Sequence, residues 1–375
     1  MTRIERIEFS RHRLPLDPPF PAAWDRRSRR AFPVTVIRVY DDEGRMGFGA
    51  GDAVSGLGDH VHLFVGHDPT EIDRYSEVMS NIAFHDGRPW PLDTALWDLA
   101  GKIRNEPIWE MVGGRSDRIR LYASLGVHRP PEQSAKQARA AVAAGFDALK
   151  LRFGRPAGLE ADFEVLAAVV DAVGGDAAVM VDCNQGWRMP WDTHQPWDFV
   201  SALEVAGRLA EHGVMWMEEP LHRGDHAGMA RLRAESEVAI AGGEMTRELH
   251  EFDLMLAAGC LDIYQPDVVV TGGMAALAAL ARRVAEDGKI FSPHTWGSGV
   301  ALLANAHLTA GTVGAPYLEY PWDPPEWTPE RRDFILSESI AINGGWLELG
   351  SAPGLGAELD EERLAATADD SLRYD

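Results

Sequence analysis

The chain of 375 residues holds only two cysteines, Cys183 and Cys260. That number provides no disulfide framework, and no CxxC pair is present for zinc. Basic residues are scarce: 36 Lys and Arg stand against 58 Asp and Glu, a formal net charge of −22. Chains that grip phosphate backbones carry basic patches, so nucleic acid is not an expected partner. An anionic membrane surface is set aside for the same reason. A small anion is still compatible with this balance where a metal ion or a few placed Lys and Arg supply local positive charge. No apolar run is long enough to span a bilayer, and the alanine-rich stretch 274–284 carries Arg282 and Arg283 and reads as a buried helix. The opening MTRIERIEFSRHRLPL is charged throughout and lacks the apolar core of a signal peptide. These absences lead to the expectation of a cytoplasmic, reduced protein.

Hydrophobic residues make up 45% of the chain and charged residues 25%, a balance that permits a sizeable core and argues against extended disorder. The length suggests two domains, or one large barrel with an appendage. Residues 2–14 and 33–42 read as strands, with a hairpin turn at Asp41-Asp42-Glu43-Gly44, and 68–82 and 91–104 read as helices. Together they predict an α+β domain over residues 1–118. Residues 15–32 hold Trp24 and four arginines without a clear period, and read as a mobile loop.

From residue 119 the pattern changes. Short apolar runs alternate with amphipathic helical stretches at intervals of roughly 25 to 35 residues. The runs are IRLYASL (119–125), DALKLRF (147–153), AVMVDCN (178–184), VMWMEEP (214–220), AIAGGE (239–244), DIYQPD (262–267), KIFSPH (289–294) and PYLEY (316–320). A parallel barrel and a doubly wound open sheet both fit this alternation. The polar residues decide between them. From the second run onward each ends in a charged or polar residue: Lys150 and Arg152, Asp182 and Asn184, Glu218 and Glu219, Glu244, Asp267, His294 and Glu319. Only a closed parallel barrel gathers all of these ends around one mouth.

Asp182, Glu218 and Glu244, on neighbouring strands, would repel one another and need a counter-charge. An all-oxygen site of few protein ligands suits Mg²⁺; salt bridges to Lys150 and Arg152 without an ion are the alternative. Lys150 and Arg152 lie two apart on one strand and share a face. On the far side, Asp267 beside His294 fixes the imidazole tautomer and raises its basicity, making His294 a candidate general base or acid. Trp24 and His60, in the loops 16–32 and 51–62 of the first domain, and Trp187 and Trp296, beside the carboxylate and histidine strands, are candidates for lining the substrate site. A solvated basic face explains most of the loop arginines better. The run GFGAG (47–51) echoes a dinucleotide turn but lacks the following helix and the distant acid, and a strand-turn explains it better. Gly272-Gly273 ahead of a helix suggests phosphate binding, and tight strand-to-helix packing accounts for it as well.

The motifs ALWDLAGK (95–102), VDCNQGW (181–187), WMEEP (216–220), GGE (242–244), QPD (265–267), SPHTWG (292–297), YLEY (317–320) and PGLG (353–356) together resemble the enolase superfamily, in its mandelate racemase subgroup, over almost the whole chain. The resemblance implies an α/β fold: a modified TIM barrel, (β/α)₇β, over residues 119–335, an N-terminal α+β capping domain, and a C-terminal segment, 336–375, returning to the cap. It implies one Mg²⁺ per subunit on Asp182, Glu218 and Glu244. Asp267 and His294 would form the catalytic dyad, Glu319 would act on the carboxylate or enolate side of the substrate, and Asn184 would be a substrate or neighbouring contact. Proton abstraction next to a carboxylate, with Mg²⁺ stabilising the enediolate, is the chemistry implied. A homo-oligomer, often an octamer, and a small-molecule carboxylate substrate are expected with it.

One position departs from the pattern. The mandelate racemase type carries Lys-x-Lys on the second barrel strand, where this chain has Lys150-Leu151-Arg152. Arginine stays protonated near neutral pH and is a poor base, but its fork of donors suits a carboxylate or enolate oxygen. A single base favours dehydration of an acid sugar to a 2-keto-3-deoxy acid over two-base racemisation. The alternatives are a racemase or epimerase, a sugar-lactone cycloisomerase, and a non-catalytic barrel that binds an acid sugar.

Overall fold

The computed structural model describes residues 2–51, 54–85, 87–312 and 315–374. Strands β1 (Ile4–Phe20), β2 (Arg29–Asp41) and β3 (Met46–Gly51) form an antiparallel meander. Asp41 closes its second turn by accepting from Glu43 N (3.0 Å) and Arg45 N (2.8 Å). Residues 15–32, which read as a loop, are mostly strand. Pairing continues from Pro15↔Ala31 across a bulge to Phe20↔Arg29, and the connection shrinks to residues 21–28. Pro15, Pro18 and Pro19 masked this because proline lacks the ladder N–H. They are tolerated because β1 is paired on its other side only from Ile7 to His12.

Helices α1 (Ile72–His85) and α2 (Trp90–Arg104) pack beside this sheet, followed by the short α3 (Ile108–Met111). The GFGAG run is β3 itself. A side chain at Gly47 or Gly49 would strike the backbone of α2 at Ala95 or Pro91, so the glycines let sheet and helix close up. Asp98 of α2 accepts from Phe48 N (3.0 Å), Leu355 N (2.8 Å) and Lys102 Nζ (2.8 Å), tying sheet, helix and C-terminal segment to one buried carboxylate.

The second part alternates strand and helix: β4 (Arg118–Ser124), α4 (Pro131–Ala143), β5 (Ala148–Arg152), α5 (Leu159–Val173), β6 (Ala178–Asp182), α6 (Phe199–Glu211), β7 (Trp216–Glu218), α7 (His226–Glu235), β8 (Ala239–Gly242), α8 (Leu249–Ala258), β9 (Ile263–Tyr264), α9 (Gly273–Glu286), β10 (Ile290–Phe291), α10 (Gly299–Ala310) and β11 (Leu318–Pro321). Eight strands and seven helices give the (β/α)₇β barrel. The strands run parallel in the order β10-β9-β8-β7-β6-β5-β4-β11. Between β10 and β11, Ser292 Oγ donates to Tyr317 O (2.8 Å) and Thr295 Oγ1 to Glu319 O (2.6 Å), so side chains bridge the ends of the sheet. After α11 (Pro329–Arg332), β12 (Trp346–Glu348) pairs antiparallel with β4; α12 (Glu361–Thr367) leads into β13 (Ala368–Tyr374), which joins the first sheet beside β1. Among the described residues no helix is long and apolar enough to cross a membrane.

The barrel interior is layered. Tyr122, Ala148, Met180, Trp216, Ala241, Ile263 and Tyr317 form a buried cluster of their own. Two residues further along, on the same face of each strand, come Ser124, Lys150, Asp182, Glu218, Gln265 and Glu319, all buried. The apolar layer is the floor on which the polar one stands.

His307 of α10 gives the fold a pH limit. Trp109 N–H donates to its Nδ1 (3.1 Å), and Leu355 O lies 3.2 Å from Nε2, which therefore carries the proton. Burial pushes its pKa down to about 4. The unfolded chain takes up a proton near 6.5 and the folded chain does not, so this contribution to stability is complete above pH 6.5 and is lost as the pH falls through 4. At about 1.4 kcal/mol per pH unit it amounts to roughly 3 kcal/mol. Urea denaturation of His307→Gln should show a shallower loss of stability between pH 6.5 and 4 than the parent chain; an unchanged slope refutes the assignment.

Candidate active site

Asp182, Glu218 and Glu244 end β6 and β7 and follow β8. One carboxylate oxygen from each lies within 4.8 Å of the others, and all three side chains are buried. The chain leaves each of these strands through a left-handed residue within two positions of the carboxylate: Asn184 (φ 52°), Glu219 (φ 49°) and Gly243 (φ 107°). Such sharp exits let each acid point into the mouth while the backbone turns outward.

Two cations face the acids. Lys150 Nζ lies 2.5 Å from Glu218 Oε1 and 2.8 Å from Glu319 Oε1. Burial alone would lower its pKa, but Glu218 and Glu319 hold it well above the ordinary lysine value. Arg152 bonds Asp182, reaches Asn184 Oδ1 at 3.1 Å, and sits 4.6 Å from the ring centroid of Trp24 and 5.5 Å from that of Trp296. Burial pushes the Asp182 and Glu218 carboxyls up, opposed chiefly by Arg152 and Lys150 respectively.

Opposite them, Asp267 Oδ2 lies 3.0 Å from His294 Nδ1, and its Oδ1 accepts from Asn305 Nδ2 (2.8 Å) and Val269 N (3.1 Å). With Nδ1–H committed to Asp267, Nε2 is the nitrogen that can exchange a proton with the site. It stands 3.6 Å from Glu244 Oε2 and 4.0 Å from Glu319 Oε2. Burial would lower the His294 pKa, but Glu244, Glu319 and Asp267 raise it to about 10. Glu319 is held below the usual carboxylate range: burial opposes this, and Lys150, His294 and Arg152 outweigh it. Ser124 Oγ (2.7 Å) and Thr295 N (2.8 Å) each donate to one oxygen of Glu319, and Trp296 Nε1 donates to Ser124 Oγ (3.0 Å).

Residues 133–363 match the family model described as Enolase C-terminal domain-like. The chain belongs to the enolase superfamily, mandelate racemase subgroup. It is similar to a D-galactarolactone cycloisomerase of Agrobacterium fabrum, 29% identical, with 96% of each chain covered. The L-talarate/galactarate dehydratase of Salmonella typhimurium is 27% identical over 96% of this chain and 90% of its own; its crystal structure superposes with a TM-score of 0.83, covering 100% and 93% at 25% identity. A racemase from Streptomyces coelicolor, solved with bound magnesium, superposes with a TM-score of 0.82 at 25% identity, covering 97% of this chain and 99% of that one.

The donor set of this superfamily member fits a hard divalent cation. Three carboxylates converge, and Glu244 Oε2 is buried without a hydrogen-bond partner. Of the residues singled out in the sequence, the fold brings together the acid triad, Lys150, Arg152, Asn184, Asp267, His294, Glu319, Trp24 and Trp296. Trp187 joins them by donating Nε1–H to Glu244 Oε1 (2.5 Å). Trp24 reaches the mouth from the first sheet by packing edge-on against Trp296, with ring centroids 4.9 Å apart. Arg26, Arg27 and Arg30 are solvent-exposed, and Arg29 pairs with Asp25. His60 lies half-buried on the 3₁₀ helix Gly58–Leu63, where Gly58 abuts Tyr374 of β13, and His62 is exposed. Asp52 and Ala53 of the same loop lie outside the described residues.

Four contributors escape the sequence reading: Ser124, Gln265, Glu219 in its bonding role, and Asn305. Gln265 donates to Glu218 Oε2 (2.7 Å), and two-residue spacing from Ile263 on the barrel floor would have found it. Asn305 sits on a helix 38 residues from Asp267 and has no local signal. Asn305→Ala should lower kcat about tenfold with little change in KM, by loosening the carboxylate that orients His294. An unaffected kcat removes Asn305 from the site.

Proposed function

We propose that this protein is an Mg²⁺-dependent acid-sugar dehydratase. The observation that carries the reading is that a single side chain, His294, is placed to serve as a base. His294 Nε2 faces the acid triad, while both basic residues on β5 are locked as cations by Asp182, Glu218 and Glu319. A two-base racemisation needs a proton acceptor on each face of the carbon; dehydration needs one.

Asp182, Glu218 and Glu244 would hold the ion, which when bound supplies a Lewis acid for the substrate carboxylate. His294 Nε2 takes the proton from the carbon next to that carboxylate. The electron pair moves onto the carboxylate oxygens, where Lys150 and Arg152 provide positive charge. The hydroxyl on the next carbon then leaves with a proton returned from His294, and the resulting enol tautomerises to the 2-keto-3-deoxy acid. Asp267 holds the ring through both transfers. Trp24 and Trp296 pack over Arg152, and the buried donors Ser124 and Thr295 orient Glu319, which Lys150 keeps ionised.

A second reading shares these steps. The cycloisomerase relative, 29% identical over nearly the full length, supports a ring oxygen as leaving group in place of the hydroxyl. Purified protein with Mg²⁺, screened against mono- and diacid sugars and their lactones with a semicarbazide assay for 2-keto acids, separates the two. Turnover of open acids supports dehydration; turnover confined to lactones supports ring opening. Solvent deuterium entering recovered substrate without keto acid would defeat both in favour of racemisation.

A further inference from the structure

We infer that Glu219 is a positioning residue that sets the spacing of the metal site, an inference that rests on the metal reading above. It follows the candidate ligand Glu218 directly, yet its carboxyl points away from the triad and into the loops that carry the other two ligands. Its N–H donates to Ala241 O on β8 (3.0 Å), and its carbonyl accepts from Gln185 N after β6 (2.9 Å). Its Oε1 accepts from the N–H of Gly243 (2.7 Å), the residue immediately before Glu244. Its other oxygen fills the space a side chain at Gly186 would need.

One residue therefore spans all three ligand-bearing strands. The chain holds it there at a cost, since φ 49° is a left-handed conformation that disfavours a glutamate by about 1–2 kcal/mol. Glycine or asparagine would adopt that backbone more easily, but neither reaches Gly243 N–H with a carboxylate. Glu219 is buried, at 2% exposure, and takes its hydrogen bonds from the loops behind the triad. Its geometry accounts for the 4.8 Å convergence of the triad: Gly243, the residue that leads into Glu244, is anchored to the residue next to Glu218.

Titration of the full-length protein with Mn²⁺, followed by electron paramagnetic resonance of the free ion, tests this without using turnover. The parent chain should bind one Mn²⁺. Glu219→Ala should bind it about 10- to 100-fold more weakly, the usual penalty for removing a group that orients a ligand. Glu219→Gln, whose amide oxygen still accepts from Gly243, should stay within about fivefold of the parent. If Glu219→Ala fails to fold, Glu219→Asp, one methylene short of Gly243, takes its place with the same expected loss. Parent-like affinity in Ala or Asp overturns the inference, as does a Gln variant as weak as Ala. A parent chain that binds no Mn²⁺ defeats the metal reading, and this inference with it.

Discussion

His294→Asn should reduce turnover by about 10²- to 10⁴-fold, the range that a positioned general base supplies. The imidazole is held by Asp267 at Nδ1, so its whole basic capacity is at Nε2. An asparagine amide keeps a polar group in the pocket and offers Asp267 a donor, but has no lone pair basic enough to take a proton from carbon. The loss should appear in kcat, because substrate binding depends on Lys150, Arg152 and the triad, which the substitution leaves in place. Binding of Mn²⁺ unchanged from the parent separates this outcome from misfolding. Full activity in His294→Asn sinks the one-base mechanism. Loss of kcat with retained exchange of the α-hydrogen moves the base elsewhere and makes His294 the acid for the leaving group.

Removing the ion should have an effect of at least the same size. Chelation with EDTA is expected to abolish keto-acid formation, and added Mg²⁺ to restore it. Glu244→Gln should weaken Mn²⁺ binding by on the order of 100-fold or more, since losing a ligand must exceed the loss of a group that merely orients one. Glu244 is the informative acid of the three. Asp182 and Glu218 are paired with Arg152 and Lys150, whereas Glu244 Oε2 is buried and unpartnered apart from the 3.6 Å approach of His294 Nε2. A cation placed there also changes the base. The carboxylates that raise His294 to about 10 would have their charge taken up by the ion, bringing Nε2 back towards the neutral form needed to accept a proton. Activity that survives both EDTA and Glu244→Gln overturns the metal reading and leaves the triad as a salt-bridge network with Lys150 and Arg152.

The sequence by itself determined the barrel and most of its mouth, for a geometric reason. Side chains two apart on a strand share a face, so the step from Met180 to Asp182, from Trp216 to Glu218, or from Lys150 to Arg152 is a local rule needing no tertiary knowledge. Eight such runs separated by helices can gather their polar ends in one place only by closing. The triad, the dyad, Lys150, Arg152 and Glu319 are legible on those grounds, and the superfamily's motifs coincide with them. Only the tertiary structure decided the rest, because it depends on contacts between segments whose local sequence is silent about one another. The prolines of β1 hid six residues of strand that pairing with β2 supplies. Trp24 reaches Arg152 from a hairpin 128 residues earlier, carried there by the packing of its ring against Trp296. Asn305 meets Asp267 only because the barrel packs α10 against the strand end that carries Asp267. Glu219 was legible only as a polar residue ending the fourth run; its left-handed backbone turns the side chain towards Gly243, and no pattern of residue types encodes a φ angle that glutamate rarely adopts.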